Sequence, residues 1–198
     1  MTSVKIGFIG LGLIGGSIAK AIRRYYPDYE LLAFDKNRET LALAVQEGTI
    51  HTSCSSIDDN FKGCTYIFLC APVAYNTAYL PQLKDLMDSG CILTDVGSVK
   101  TSIHKEVISL GMEESFIGGH PMAGSEKSGF SSSKAHLIEN AYYILTPSAK
   151  VPEEKVTAFR DFISSLKAIP VILDYKKHDY ITGTISHLPH IIASTLVN

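Results

Sequence analysis

The histidines are the side chains of this sequence whose charge changes near neutral pH, which makes them the first candidates for proton transfer. They are His51, His104, His120, His136, His178, His187 and His190. His51, His104, His136 and His178 have polar neighbours and read as exposed surface groups. His120 differs. It lies in Gly118-Gly119-His120-Pro121-Met122-Ala123-Gly124, a loop pattern following an apolar run, with glycines that permit close backbone approach and a proline that stiffens the chain. An imidazole placed there could take the proton of a substrate hydroxyl while a hydride leaves the same carbon. Spacing alone leaves a second reading open, a loop histidine bonded to a backbone carbonyl. His187 and His190 are three residues apart and can share a helix face, but no third ligand or H-E-x-x-H pattern accompanies them, so no metal site is expected.

A second group of residues has the spacing of a phosphate cradle. Gly10-Leu11-Gly12-Leu13-Ile14-Gly15 matches G-x-G-x-x-G. Alone the pattern is weak, but here it follows a β-rich run and opens a helical one, as the mechanism requires. The first glycine makes the tight turn, the second admits a pyrophosphate, and the third packs helix on sheet, while free N–H groups at the start of the helix, with Leu13 and Ile14, meet the anion. Asp35 stands 20 residues beyond Gly15, at the end of the next apolar run. A carboxylate there would bond the ribose hydroxyls and repel a 2′-phosphate, favouring NAD over NADP; Lys36 and Arg38 are close enough to soften that preference.

These groups need a scaffold, and the sequence alternates strand and helix patterns to supply one. Strands are expected at residues 4–9, 31–34, 66–70, 91–94, 142–145 and 171–173, and helices at 13–26, 39–46, 78–87, 102–110, 153–166 and from 178 onward, the last interrupted by Pro189. Residues 118–133, rich in Gly and Ser, read as loop. Continuous apolar strands joined by helices argue for a mostly parallel sheet buried on both faces. In such a sheet, ligands lie beyond the carboxyl ends of the strands. Cys70-Ala71-Pro72-Val73, the segment from Asp95 through Gly97 and Ser98 to Lys100, and the His120 loop should therefore gather around one site.

The bulk properties narrow the class. With 45% apolar and 19% charged residues, the sequence is that of a globular protein. Its 198 residues correspond to one domain and a remainder. A net charge of −2 gives no support for binding nucleic acid or an anionic membrane through bulk charge. The four cysteines, Cys54, Cys64, Cys70 and Cys91, form no C-x-x-C pair, and Cys70 and Cys91 read as buried thiols used as small apolar groups. Neither a signal-peptide pattern nor an apolar run of spanning length is present, so a cytoplasmic location is expected.

Several segments together resemble the prephenate dehydrogenase family of tyrosine biosynthesis, over essentially the whole chain and in the expected order. They are G-L-G-L-I-G-G-S from Gly10, D-V-G-S-V-K from Asp95, G-G-H-P-M-A-G-S-E-K-S-G from Gly118, Y-Y-I-L-T-P from Tyr142 and S-H-L-P-H from Ser186. The first is shared by many dehydrogenases; the long His-Pro segment and S-H-L-P-H are far more specific.

The resemblance implies a Rossmann-type, doubly wound α/β fold with extra C-terminal strands. It implies a dinucleotide-binding domain over residues 1–175 and the start of a truncated helical substrate and dimer domain over 176–198. It also implies NAD-dependent oxidative decarboxylation of prephenate to 4-hydroxyphenylpyruvate, with arogenate as the alternative substrate, and a homodimer. A non-catalytic dinucleotide-binding module is a further alternative. His120 would polarise or deprotonate the ring hydroxyl, and Ser98 would bond the same hydroxyl and help orient His120. Ser186 and His190 match family positions at the substrate, and Glu126 matches an acid at the pocket mouth. One departure stands out. The family clamps a substrate carboxylate with an arginine of the helical domain, whereas Arg23, Arg24, Arg38 and Arg160 all precede that region. The expectation is that the 198-residue chain binds NAD but turns prephenate over poorly unless another segment or subunit supplies the arginine.

Overall fold

The computed structural model describes residues 4–187 and 194–195, and of residues 186 and 187 the backbone only. Its first half is a parallel sheet of β1 (Lys5–Ile9), β2 (Glu30–Phe34), β3 (Thr52–Cys54), β4 (Tyr66–Leu69) and β5 (Ile92–Asp95), in spatial order β3-β2-β1-β4-β5. β1 pairs with β2 from Lys5↔Glu30 to Ile9↔Phe34 and with β4 from Ile6↔Tyr66 to Ile9↔Leu69. The strand order therefore reverses between β1 and β4, and a crevice opens at their carboxyl ends. Helices α1 (Leu13–Tyr25), α2 (Arg38–Gln46) and α3 (Val73–Lys84) lie between these strands in sequence.

β4 and β5 are buried at every residue, as their unbroken apolar runs require. β3 is absent from the sequence-based expectation because it is a three-residue edge strand, exposed at Thr52 and Ser53. α3 begins five residues earlier than its periodicity implied, at the residue after Pro72. Pro72 stands at its N-cap and fixes the backbone there, which apolar spacing does not register.

The second half carries a smaller sheet. After α4 (Thr101–Ser109) come β6 (Ile117–Pro121), β7 (Tyr142–Pro147), α5 (Glu153–Ser165) and β8 (Ile169–Ile172). β6 runs antiparallel to β7, and β7 parallel to β8, while a bridge from Leu93 to Phe116 links this sheet to β5. α5 lays Phe159 and Phe162 over the first sheet, with Phe162 stacked on Tyr66 at 4.6 Å between ring centroids. Burying aromatic rings of this size contributes roughly 1.5–3 kcal/mol each. α6 (Tyr175–Thr182) follows, capped by the Asp174 carboxylate, which accepts from Lys176 N and Lys177 N, and the chain then passes into a π-helical turn, Gly183–His187.

The largest correction concerns residues 117–121. They form strand β6, not a loop, so His120 sits on a strand, opposite Ile144 of β7. Gly and Pro disfavour strands in general, but here the glycines are what allow the strand to fit. A Cβ on Gly119 would stand 2.5 Å from the Asp95 carbonyl, and one on Gly118 would stand 2.4 Å from Thr146 Oγ1.

Two histidines expected at the surface are buried, His104 at 1% exposure and His178 at 0%; His51 and His136 are exposed. Cys91 is buried as expected, whereas Cys70 is only half-buried. His104 stacks on Tyr175 at 4.3 Å and lies between the hydroxyls of Thr146, at 3.0 Å from Nε2, and Ser148, at 3.2 Å from Nδ1. Its polar sequence neighbours concealed this, because its partners come from distant segments. No helix among the described residues is long and apolar enough to cross a membrane.

Burial pushes the His104 imidazole down to about 4 from its ordinary value of 6.5, with Asp95 opposing the shift. The native state therefore keeps His104 neutral while the unfolded chain takes up a proton below pH 6.5. Stability from this group is complete above pH 6.5 and falls as the pH drops towards about 4. The loss approaches about 3 kcal/mol. Thermal unfolding between about pH 7.5 and pH 4.5 should show a shallower fall of Tm in His104→Gln than in the parent. Parallel pH slopes would exclude His104 as a source of acid sensitivity.

Candidate active site

A cavity of about 800 Å³ opens at the carboxyl ends of the parallel strands, within the size range of cofactor and ligand sites. Gly10, Gly12, Leu13, Ile14 and Asp35 line one side of it. Ala71, Pro72, Val73, Gly97, Ser98 and His120 line the other. Gly15 lies beneath the loop: a Cβ there would stand 2.5 Å from the Gly10 carbonyl and 2.8 Å from Cys70 Cβ, so helix, loop and β4 approach at backbone distance. Gly10 adopts φ +95°, in the region that favours glycine, and its own Cβ would run into the 70–71 peptide. Gly12, by contrast, faces open space. It caps α1 without a side-chain bond, and no acidic residue occupies the first turn, so the helix N-terminus presents its N–H groups and positive dipole end to the cavity. Asp35 accepts from Leu11 N at 2.7 Å and from Asn37 N at 2.8 Å, which fixes the carboxylate at the cavity edge and leaves each oxygen a further lone pair.

The opposite wall depends on a buried ion pair. The Lys100 ammonium, fully enclosed, donates to Asp95 Oδ2 and, at 2.7 Å, to the Gly119 carbonyl. Asp95 also accepts from Gly97 N at 2.9 Å and from Gly119 N at 3.2 Å. Burial pulls the lysine down from its ordinary value, and the adjacent carboxylate opposes that pull. This one contact locks the segment carrying Ser98, an exposed residue at the cavity, against the strand carrying His120, which is half-buried.

Behind His120 lies an arrangement that residue spacing did not disclose. His120 Nδ1 is 2.9 Å from His178 Nε2, and His178 Nδ1 is 2.8 Å from Asp179 Oδ1. Adjacent His and Asp in a polar helix carry no sign of such a role; only the packing of α6 against α4 and β7 brings them behind the strand. Among the remaining expected site residues, Glu126 is exposed and does not line the cavity, although its neighbours Ser125 and Lys127 do. Ser186 is described by its backbone only, in the π-helical turn, and His190 lies outside the described residues. Among the described residues, no three His, Cys, Asp or Glu side chains gather as metal ligands.

Residues 18–172 match the family model for the nucleotide-binding domain of prephenate dehydrogenase. The chain belongs to the prephenate dehydrogenase family. It is 41% identical to a prephenate dehydrogenase of Lactococcus lactis subsp. cremoris over 98% of this chain and 53% of that protein. Among solved structures, it resembles a prephenate dehydrogenase from A. aeolicus in complex with hydroxyphenyl propionate and NAD+, at a TM-score of 0.92 and 30% identity, covering all of this chain and 69% of that one. A Synechocystis arogenate dehydrogenase is similar at a TM-score of 0.90 and 31% identity, covering 98% of this chain and 68% of that one. The chain spans about half the length of the curated relatives it matches. The family model begins within α1, so the Gly10–Gly15 loop precedes the matched segment.

Replacing Lys100 with Met should destabilise the fold by about 3–5 kcal/mol, because it strands the Asp95 carboxylate in a buried site. Urea unfolding of Lys100→Met measures this, and a loss below about 1 kcal/mol would show the pair to be dispensable.

Proposed function

We propose that this protein is an NAD-dependent prephenate dehydrogenase, converting prephenate to 4-hydroxyphenylpyruvate and carbon dioxide. The observation that carries the proposal is the meeting, in one cavity, of a phosphate cradle with a serine and a histidine suited to hold and deprotonate a hydroxyl. The residues fit a dinucleotide: the space beside Gly12 is open, the α1 N-terminus is uncapped by any side chain, and the Asp35 carboxylate at the cavity edge could accept from a ribose diol.

When bound, NAD supplies the hydride acceptor. The residues of the chain supply orientation and one proton acceptor. Ser98 and His120, which line the same cavity, would together hold the ring hydroxyl and orient its carbon for hydride loss. His120 takes the hydroxyl proton as the carbon–hydrogen pair departs. The electrons of the bond to the carboxylate then enter the ring, carbon dioxide leaves, and His120 returns its proton to the phenol oxygen. No net proton is consumed. Aromatisation drives the loss of carbon dioxide, so the protein has no separate acid to provide for that step.

Prephenate is preferred to arogenate because the L. lactis relative, at 41% identity, is a prephenate dehydrogenase, while the arogenate enzyme matches at 31%. Glu126, Ser186 and His190 are assigned to the substrate side of the site. Residues 1–175 are assigned to the dinucleotide-binding domain and 176–198 to the opening of a helical domain that contributes to substrate binding and to a homodimer. A cytoplasmic location suits a pathway of small soluble metabolites.

The direct test is NADH absorbance after mixing protein and NAD with prephenate or with arogenate, read as the ratio of the two rates because none of Arg23, Arg24, Arg38 and Arg160 is placed to clamp the substrate carboxylate. Turnover of prephenate in clear excess supports the proposal, and turnover of arogenate alone overturns the substrate assignment. His120→Asn should retain NAD affinity while kcat falls roughly 100-fold or more. An unchanged kcat removes His120 from the mechanism. Asp35→Ala should lose the preference for NAD over NADP, and equal use of both cofactors by the parent would refute the role given to Asp35.

A further inference from the structure

Asp179 occupies an unusual position. Its carboxylate accepts from Lys100 N at 2.7 Å, Thr101 N at 2.8 Å and Thr101 Oγ1 at 2.6 Å, closing the N-terminus of α4 from a different helix. The residues it anchors lie two and three positions beyond Ser98. The same carboxylate meets His178 Nδ1, and His178, with no exposed surface, meets His120. One acid thus reaches both groups proposed to hold the substrate hydroxyl, Ser98 through the backbone of the 98–101 segment and His120 through an intervening imidazole.

The chemistry of these groups fixes where the protons lie. Burial alone would raise the Asp179 pKa, but bonds from the Thr101 hydroxyl, His178 and the Thr101 and Lys100 N–H groups hold it below the ordinary carboxylate value. An ionised carboxylate only accepts hydrogen bonds, so His178 must donate from Nδ1. A ring that carries one proton, on Nδ1, accepts at Nε2. Two lone pairs cannot share a hydrogen bond, so at 2.9 Å His120 must donate from Nδ1. Thr182 Oγ1, 3.4 Å from the same His178 nitrogen, is a longer and weaker contact.

We infer that Asp179 and His178 are positioning residues that hold His120 in the tautomer protonated on Nδ1, so that its Nε2 is the nitrogen that receives the substrate proton. The inference rests on the proposed role of His120 as the base and adds the element that keeps it in basic form. As proton transfer proceeds, the charge formed on His120 is stabilised through His178 by the Asp179 carboxylate. The arrangement is a carboxylate–imidazole–imidazole relay with no covalent step of its own.

The test combines a spectroscopic readout with kinetics. At about pH 8, above the ordinary imidazole range, two-bond proton–nitrogen NMR correlations report which ring nitrogen carries the proton, with His120 assigned by comparison with His120→Asn. The parent should show the Nδ1–H form. In Asp179→Ala, His178 Nδ1 loses the acceptor that fixes its proton, and His120 should populate the Nε2–H form beside the Nδ1–H form. In the same variant kcat should fall about 100-fold or more with KM within about threefold, as when a buried carboxylate no longer sets the tautomer of a catalytic imidazole. His178→Gln offers an acceptor to His120 and a donor to Asp179, so it should keep the Nδ1–H form and a kcat at least about tenfold above that of His178→Leu. An Nε2–H form in the parent, the Nδ1–H form alone in Asp179→Ala, or equal kcat in the Gln and Leu variants would overturn the relay. The NMR result needs no substrate. A protein that shows the tautomer change yet oxidises arogenate and not prephenate would refute the substrate proposal while supporting the relay.

Discussion

An ammonium group with no exposed surface must be paired, and Lys100 is paired with the Asp95 carboxylate and the Gly119 carbonyl. Asp95 ends the last parallel strand, Lys100 precedes α4, and Gly119 belongs to the strand that carries His120. A contact of this kind adds little net stability over apolar groups of the same size, since desolvation offsets the attraction. What it fixes is geometry. It joins the end of the parallel sheet to the start of the mixed one and holds the Ser98 segment at a set distance from His120. The glycines follow from the same constraint, because Gly97, Gly118 and Gly119 each lie where a Cβ would collide with the pair or its strands.

The two walls of the cavity differ in what they contribute. The Gly10 to Gly15 side is a general anion cradle, built from backbone N–H groups and one acid, and it would serve many reactions. The later wall carries Ser98 and His120, and there a strand replaces the loop that Gly-Gly-His-Pro suggests. Mounting His120 on a strand paired with β7 limits its motion more than a loop would, and the buried imidazole behind it restricts the ring as well. His104 has a separate place. It is a neutral imidazole satisfied by two hydroxyls beneath the same glycines, a packing element of the wall and not a proton carrier.

Much of this was legible in the residues. The parallel sheet followed from unbroken apolar strands, and the cradle from glycine spacing followed by Asp35, because those signals are local and periodic. β3 left no sign because three residues at a sheet edge have no period to read. β6 was masked because its glycines answer to the atoms of Asp95 and Thr146, which are remote in sequence. His104 and His178 looked exposed for a related reason: polar neighbours describe one face of a helix, and the other face meets partners about 40 to 60 residues away.

The sequence by itself therefore determined the fold class and singled out the Gly10–Gly15 spacing and His120 as the residues to examine, since each rests on residue types at fixed short spacing. Only the tertiary structure decided that His120 stands on a strand, that Lys100 and Asp95 bind the walls together, and that Asp179 reaches His120 through His178. Those outcomes rest on distances between segments remote in sequence, and local propensity carries no information about which remote atoms will meet.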